Sequence, residues 1–169
     1  MALRNILTEE DPALTKKCRV VTDFNPRLHQ LIDDMRETLL QADGVGLAAP
    51  QVGVLRRVVL VMETNVPEGE EPVLIELVNP EIIEATGEQH EAEGCLSVPN
   101  QYGVVSRPAF VRVRAQDRFG EFFEVSGEGL TARCFAHEVD HLNGIVFTTK
   151  CERMLTEEEI QQIQSGDGE

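Results

Sequence analysis

Hydrophobic positions recur along this chain in two rhythms, and the change of rhythm lays out its elements. After Asn25-Pro26, residues Leu28, Leu31, Ile32, Met35 and Leu39 return at three- and four-residue spacing through Ala42. That spacing gathers them on one helical stripe and leaves Asp33, Asp34, Arg36 and Glu37 facing water. Upstream, Asp11 before Pro12 joins an N-cap to a preset first turn and predicts a short helix. Val58 to Met62, Val73 to Val78, Val104 to Val105, Phe110 to Ala115 and Glu121 to Val125 are short runs rich in β-branched or aromatic residues and separated by Gly, Pro, Asn or Asp. These runs predict strands, mostly antiparallel. Helical spacing returns from about Leu130 to Leu142, and Asn143-Gly144 supplies a left-handed stop. Thr156 to Glu159 forms a capping box that opens a last short helix.

Strands in one stretch and helices at either end imply an α+β class. With 169 residues the chain is expected to form a single domain spanning 1–169, with a frayed acidic tail at 165–169, the polar SGDGE. The stretch Glu63 to Pro72, rich in acidic residues, Pro and Gly, reads as an exposed insertion within that domain.

Charge removes several classes of function. Thirty acidic residues against fifteen basic give a net charge of −15, which repels phosphate backbones and anionic lipid, so nucleic acid is not an expected partner. A hydrophobic content of 41% separates the chain from disordered acidic sequences of low hydrophobicity. No apolar run approaches a membrane span or a secretory signal, so a soluble, cytoplasmic protein with no membrane partner is expected. Cys18, Cys95, Cys134 and Cys151 are scattered without a CxxC pair, which fits reduced core residues with one recruited to a metal or to catalysis.

The chemistry concentrates in FAHEVDHLNG, Phe135 to Gly144. On a helix, residues four apart share a face, so the imidazoles of His137 and His141 can converge on one ion, while Glu138 points to the side where it can reach a water held there. A metal site needs a third protein ligand. A third histidine downstream, as in metzincins, is excluded because that position is Phe147 and no histidine follows His141. Cys134 is excluded by distance, lying about 10 Å from His141 along the helix axis. Two sources stay open. One is a downstream carboxylate among Glu157, Glu158 and Glu159, which would give an HExxH-type metallopeptidase; the other is the thiol of Cys95 in EGCLSVP.

Three segments in order, GVGLAAPQ (Gly44 to Gln51), EGCLS (Glu93 to Ser97) and HEVDH (His137 to His141), resemble the signature motifs of the peptide deformylases. The resemblance extends over nearly the whole chain. It implies antiparallel sheets packed around a central metal-binding helix, with Cys95, His137 and His141 as metal ligands and Glu138 as the catalytic acid/base. It further implies Gln51, through its side-chain amide, and Leu96, through its backbone N–H, as donors to the oxyanion. The implied activity is hydrolysis of the formyl group from the N-terminal formyl-methionine of nascent polypeptides, with release of formate. The implied cofactor is one divalent metal ion, Fe(2+) in the cell, with Zn(2+), Ni(2+) or Co(2+) able to take its place.

In the resembled family the first motif runs beside the substrate, so the backbone at Val45 and Gly46 is expected to bind the peptide main chain. Val45, Leu130 and Cys134 are the candidates for the methionine pocket. Glu93 and Arg107 match a pair expected to brace the ligand-bearing loop, and Asp140 could orient that arginine or a histidine. A non-catalytic peptide-binding module is the reading from another class, and intact Gln51, Cys95 and Glu138 weigh against it. The sequence departs from the family pattern at Ala136, where many members carry glutamine, and in its ending EEEIQQIQSGDGE, where some bacterial relatives have a basic helix that docks on the ribosome. An acidic ending is repelled by ribosomal RNA, so docking through that element is not expected.

Overall fold

A computed structural model describes residues 2–166 of the chain. Eight strands and three α-helices follow in order: α1 (Pro26–Ala42), β1 (Gly46–Ala48), β2 (Val58–Glu63), β3 (Val73–Thr86), β4 (Gln89–Cys95), β5 (Val98–Arg107), β6 (Phe110–Gln116), β7 (Phe122–Glu128), α2 (Leu130–Leu142), β8 (Arg153–Met154) and α3 (Glu157–Gly166). The strands form two antiparallel sheets, one of order β1-β2-β3-β6-β7 and one of order β4-β5-β8. This is the expected α+β arrangement, with α2 packed against strands of both sheets.

Helix α1 starts where Asn25 accepts the Leu28 N–H at 3.0 Å. It ends on Asp43, whose φ of 57° makes Asp43, not the neighbouring Gly44, the left-handed cap. The expected apolar stripe is buried, but Asp34, expected in water, is buried with it. Its carboxylate accepts from the Ala2 N–H at 2.8 Å, Arg4 Nε at 3.0 Å and Gln30 Nε2 at 2.6 Å, and so anchors the N-terminal arm. That arm then runs to the first two motifs, where the Leu7 N–H donates to the Gln51 carbonyl and the Glu9 N–H to the Ser97 carbonyl.

Strand β2 is covered on both faces. Val58 and Leu60 pack with the α1 stripe, while Val59 and Val61 pack with Ala132, Phe135 and Leu142 of α2. A strand buried on both faces reads as a continuous apolar run, which is why VVLVM lacks the alternation of its neighbours. Phe147 and Leu14 join Val98 and Val105 in a smaller cluster beneath the second sheet.

Two strand expectations needed correction. The segment expected to end at Val78 continues to Thr86, past a ladder irregularity at Asn79-Pro80, where Asn79 takes φ 52°. Asn79 offsets the interruption by pairing both of its amide atoms with the backbone of Val21 at 2.8 Å. Strand β4 was not expected at all, and β5 extends well beyond Val104 and Val105. QHEAEGC has no apolar alternation; it is held by its ladder to β5 and by buried Glu93.

Helix α2 spans the expected residues and stops at Gly144, with φ 76°. A Cβ at Gly144 would stand 2.6 Å from the Thr15 carbonyl oxygen, so both the left-handed turn and the close passage of the chain require glycine there. Helix α3 opens with the expected capping box: Thr156 Oγ1 accepts the Glu159 N–H at 3.2 Å, and Glu159 Oε1 accepts the Thr156 N–H at 3.1 Å. Of the tail expected to fray, Ser165 and Gly166 lie in this helix and 167–169 lie outside the described residues. Among the described residues, no helix is long and apolar enough to cross a membrane.

Candidate metal centre and active site

Helical spacing places His137 Nε2 3.2 Å from His141 Nε2, and the end of β4 brings Cys95 Sγ to 3.3 Å from the same His141 nitrogen. Three donors bound about 2.0 to 2.3 Å from one tetrahedral ion lie roughly 3.3 to 3.8 Å apart, so the spacing and the thiol–imidazole donor set fit a divalent metal. Among the described residues, these three are the group able to hold an ion. Glu157, Glu158 and Glu159 do not join it. Glu159 is instead taken by Arg153, at 2.9 Å through each oxygen, on the outer surface.

The imidazole orientations follow from their other partners. His137 Nδ1 meets the carboxylate of Glu93, which is 5% exposed. Burial works to raise the Glu93 pKa, but hydrogen bonds and charge from His137 and Arg107 outweigh it and hold it at about 2. An ionised carboxylate can only accept, so Nδ1 carries a proton and Nε2 is the nitrogen turned toward the other two donors. Burial, reinforced by His137, pushes His141 well below the usual histidine range and keeps it neutral.

Glu93 is fixed from several sides. Arg107 donates through Nε at 3.1 Å and Nη2 at 3.0 Å, and Arg133 Nη1 donates at 3.2 Å. Arg107 also donates to Asp140 at 2.6 Å, so Asp140 orients the arginine and not a histidine. The Glu93–Arg107 pair is thus buried at the heart of the site rather than exposed at the surface.

All the sequence-predicted site residues except His141 line one cavity of about 270 Å³; His141 lies fully buried behind it. Glu138 is buried, its Oε1 has no hydrogen-bond partner, and its Oε2 lies against Gly46. Burial raises its pKa to about 7, against the opposing pull of His137 and Arg107, which suits a group that takes and returns a proton near neutrality. Gln51, on the short 3-10 turn Ala49–Val52, accepts the Ala48 N–H through Oε1 at 2.9 Å. Its amide nitrogen is thereby turned toward Ser97 Oγ, at 3.1 Å, and Cys95 Sγ, at 3.5 Å. Leu96 is the first residue of the two-residue turn between β4 and β5, which leaves its N–H outside the ladder.

Strand β1 is the edge of its sheet. Gly46 pairs with Val61 on one side, and the other side borders the cavity. Val45 and Leu130 stand at the rim, 39% and 47% exposed, while Cys134 is buried. Burial, with help from Glu138 and Glu93, pushes the Cys134 thiol up to about 12, so it is a neutral wall. Ser97, Tyr102 and Arg133 were missed by sequence reasoning. Ser97 belongs to EGCLS and supports Gln51, whereas Tyr102 lines the cavity from β5. Arg133 could have been found, because it shares the helical stripe of Leu130 and His137.

A family model described as Polypeptide deformylase matches residues 3–157, which takes in the metal cluster, Gln51 and Glu138. This chain belongs to the polypeptide deformylase family. A peptide deformylase of Caldicellulosiruptor bescii is 54% identical over 98% of this chain and 95% of its own length. The crystal structure of a peptide deformylase from Legionella pneumophila superposes with a TM-score of 0.81 at 43% identity, covering 97% of this chain and 92% of that one. A Met-Ala-Ser-bound class I type b peptide deformylase from Acinetobacter baumannii superposes with a TM-score of 0.82 at 35% identity, covering 89% of this chain and all of that one. Polypeptide deformylases are metal-dependent, and Cys95, His137 and His141 are where this member could hold the ion.

Proposed function

We infer that this chain is a peptide deformylase that hydrolyses the formyl group from the N-terminal formyl-methionine of polypeptides and releases formate. The observation that carries the reading is the convergence of a thiol and two imidazole nitrogens beside a buried carboxylate with one unpartnered oxygen, in a chain of this family.

Cys95, His137 and His141 would hold one divalent ion, which would supply Lewis acidity at the site. Fe(2+) is the expected ion, as the family implies, and Zn(2+), Ni(2+) or Co(2+) suit the same thiol and imidazole donors. The free edge of β1 at Val45 and Gly46 pairs with the peptide main chain, and the Met-Ala-Ser bound to the Acinetobacter relative supports a peptide in this groove. The methionine side chain enters between Val45, Leu130 and Cys134.

Glu138 takes a proton from water as its oxygen bonds to the formyl carbon. The Gln51 amide and the Leu96 N–H donate to the oxygen that gains charge, and each such donor is worth about 100- to 1000-fold in rate. Glu138 then returns the proton to the amine nitrogen as the C–N bond breaks, which leaves formate and a free α-amine. Formylated N termini arise on nascent chains, which supports a cytoplasmic location. A net charge of −15 and a last helix opening on Glu157, Glu158 and Glu159, with no basic residue in its final turn, support the absence of direct nucleic-acid binding and of ribosome docking through that helix. The test is formate release from a formyl-Met tripeptide by the wild type and by Cys95→Ser. Loss of both metal and turnover in the variant is expected, and a variant that keeps both would overturn the ligand assignment.

A further inference from the structure

On α2, Leu130, Arg133, Cys134 and His137 follow the spacing of one helical face, and all four line the cavity. Three of them suit an apolar pocket leading to a metal. Arg133 does not. It is 4% exposed, with Nη1 donating to Glu93 Oε2 at 3.2 Å and Nη2 to the Val105 carbonyl at 3.3 Å. A guanidinium carries five N–H groups, and these two bonds leave Nε without a protein partner among the described residues, on a side chain that lines the cavity.

Arg133 already pairs with Glu93, so a carboxylate entering beside it would meet the charge of Glu93. It would also meet Glu138, which lines the same cavity. The group that fits is therefore a neutral oxygen acceptor on the entering side chain.

We propose that Arg133 is a specificity-determining residue that extends the substrates of this enzyme to formylated peptides whose first side chain ends in a neutral oxygen, formyl-methionine sulfoxide foremost. The proposal rests on the deformylase reading and deepens it. Oxidation places one oxygen on the thioether sulfur and turns an apolar side chain into a polar one. That oxygen lies one bond beyond the δ position, as the amide oxygen of glutamine does, so formyl-glutamine is a second member of the class. Norleucine has the same length and no acceptor.

The experiment measures kcat/KM of the metal-loaded enzyme for formyl-X-Ala-Ser, where X is methionine, methionine sulfoxide or norleucine, in the wild type and in Arg133→Met. The wild type is expected to turn over the sulfoxide at least as well as norleucine. In Arg133→Met the sulfoxide-to-norleucine ratio is expected to fall about 10- to 100-fold, the worth of one hydrogen bond to a charged group. The ratio cancels any general damage to the metal site through Glu93. A wild-type ratio below one, or a ratio unchanged in Arg133→Met, overturns the proposal while formyl-Met turnover stands; the wild-type ratio decides it even if the variant does not fold. Absence of turnover of all three peptides overturns the deformylase reading, and this proposal with it.

Discussion

Gly46 of β1 lies so close to Glu138 of α2 that a Cβ on Gly46 would overlap Oε2 and stand 3.0 Å from Cδ. Gly46 is not among the residues of positive φ, so it is space and not conformation that requires glycine here. The contact ties the strand proposed to bind peptide to the carboxylate proposed to move the proton. Gly46→Ala should displace that carboxylate and lower kcat for a formyl-Met peptide by about 100-fold or more, within the range of a lost general acid/base. The overpacking should cost about 1 to 3 kcal/mol of stability, with metal content retained. Steady-state kinetics, denaturant unfolding and metal analysis on one preparation check all three.

Gln51 is 1% exposed and works at both ends of its amide, accepting from Ala48 and donating toward Ser97 and the cavity. Gln51→Ala should lower kcat about 100- to 1000-fold by removing an oxyanion donor. It should also leave the Ala48 N–H unpaired, at a cost of about 1 to 3 kcal/mol. Kinetics together with urea unfolding separate the two losses.

Thiol labelling distinguishes the four cysteines. Burial pushes the thiols of Cys134, up to about 12, and of Cys18 above the usual range, while Cys95 and Cys151 are half-buried. In metal-free protein at pH 8, iodoacetamide should label Cys95 and Cys151 and spare the other two. Reloading the metal should protect Cys95 alone, as read by peptide mass mapping.

Asp34 predicts an acid-sensitive anchor. Burial works to raise its pKa, but hydrogen bonds from Gln30, Ala2 and Arg4 outweigh this and hold it below the usual carboxylate range. A lowered folded-state pKa contributes stability that is present above the unfolded value of about 3.9 and lost as pH falls through the folded one. The wild type should therefore melt higher than Asp34→Asn at pH 7, and the gap in Tm should shrink as pH falls below about 4.

Much of this architecture was legible in the sequence where one physical signal acted alone. The stripe of α1, the bounds of α2 and the capping box at Thr156 each follow from local spacing, and each stands where expected. Strand β4 was hidden because its stability comes from its partner strand and from the ion pairs of Glu93, neither of which leaves an apolar pattern. Asp34 was misplaced because only the folded arm supplies the donors that make its burial favourable. The site divided in the same way. His137, Glu138 and His141 announce themselves by spacing on one helix, and Arg133 shares their stripe, whereas Cys95 was legible only through its resemblance to a family motif.

The most direct test is formate release from formyl-Met-Ala-Ser by the metal-loaded wild type and by Glu138→Gln, with metal content measured in both. The wild type is expected to release formate stoichiometrically with free Met-Ala-Ser. Glu138→Gln is expected to keep one ion per chain and lose about 100- to 10,000-fold in turnover. A wild type that releases no formate, or a Glu138→Gln variant as active as the wild type, would contradict the account.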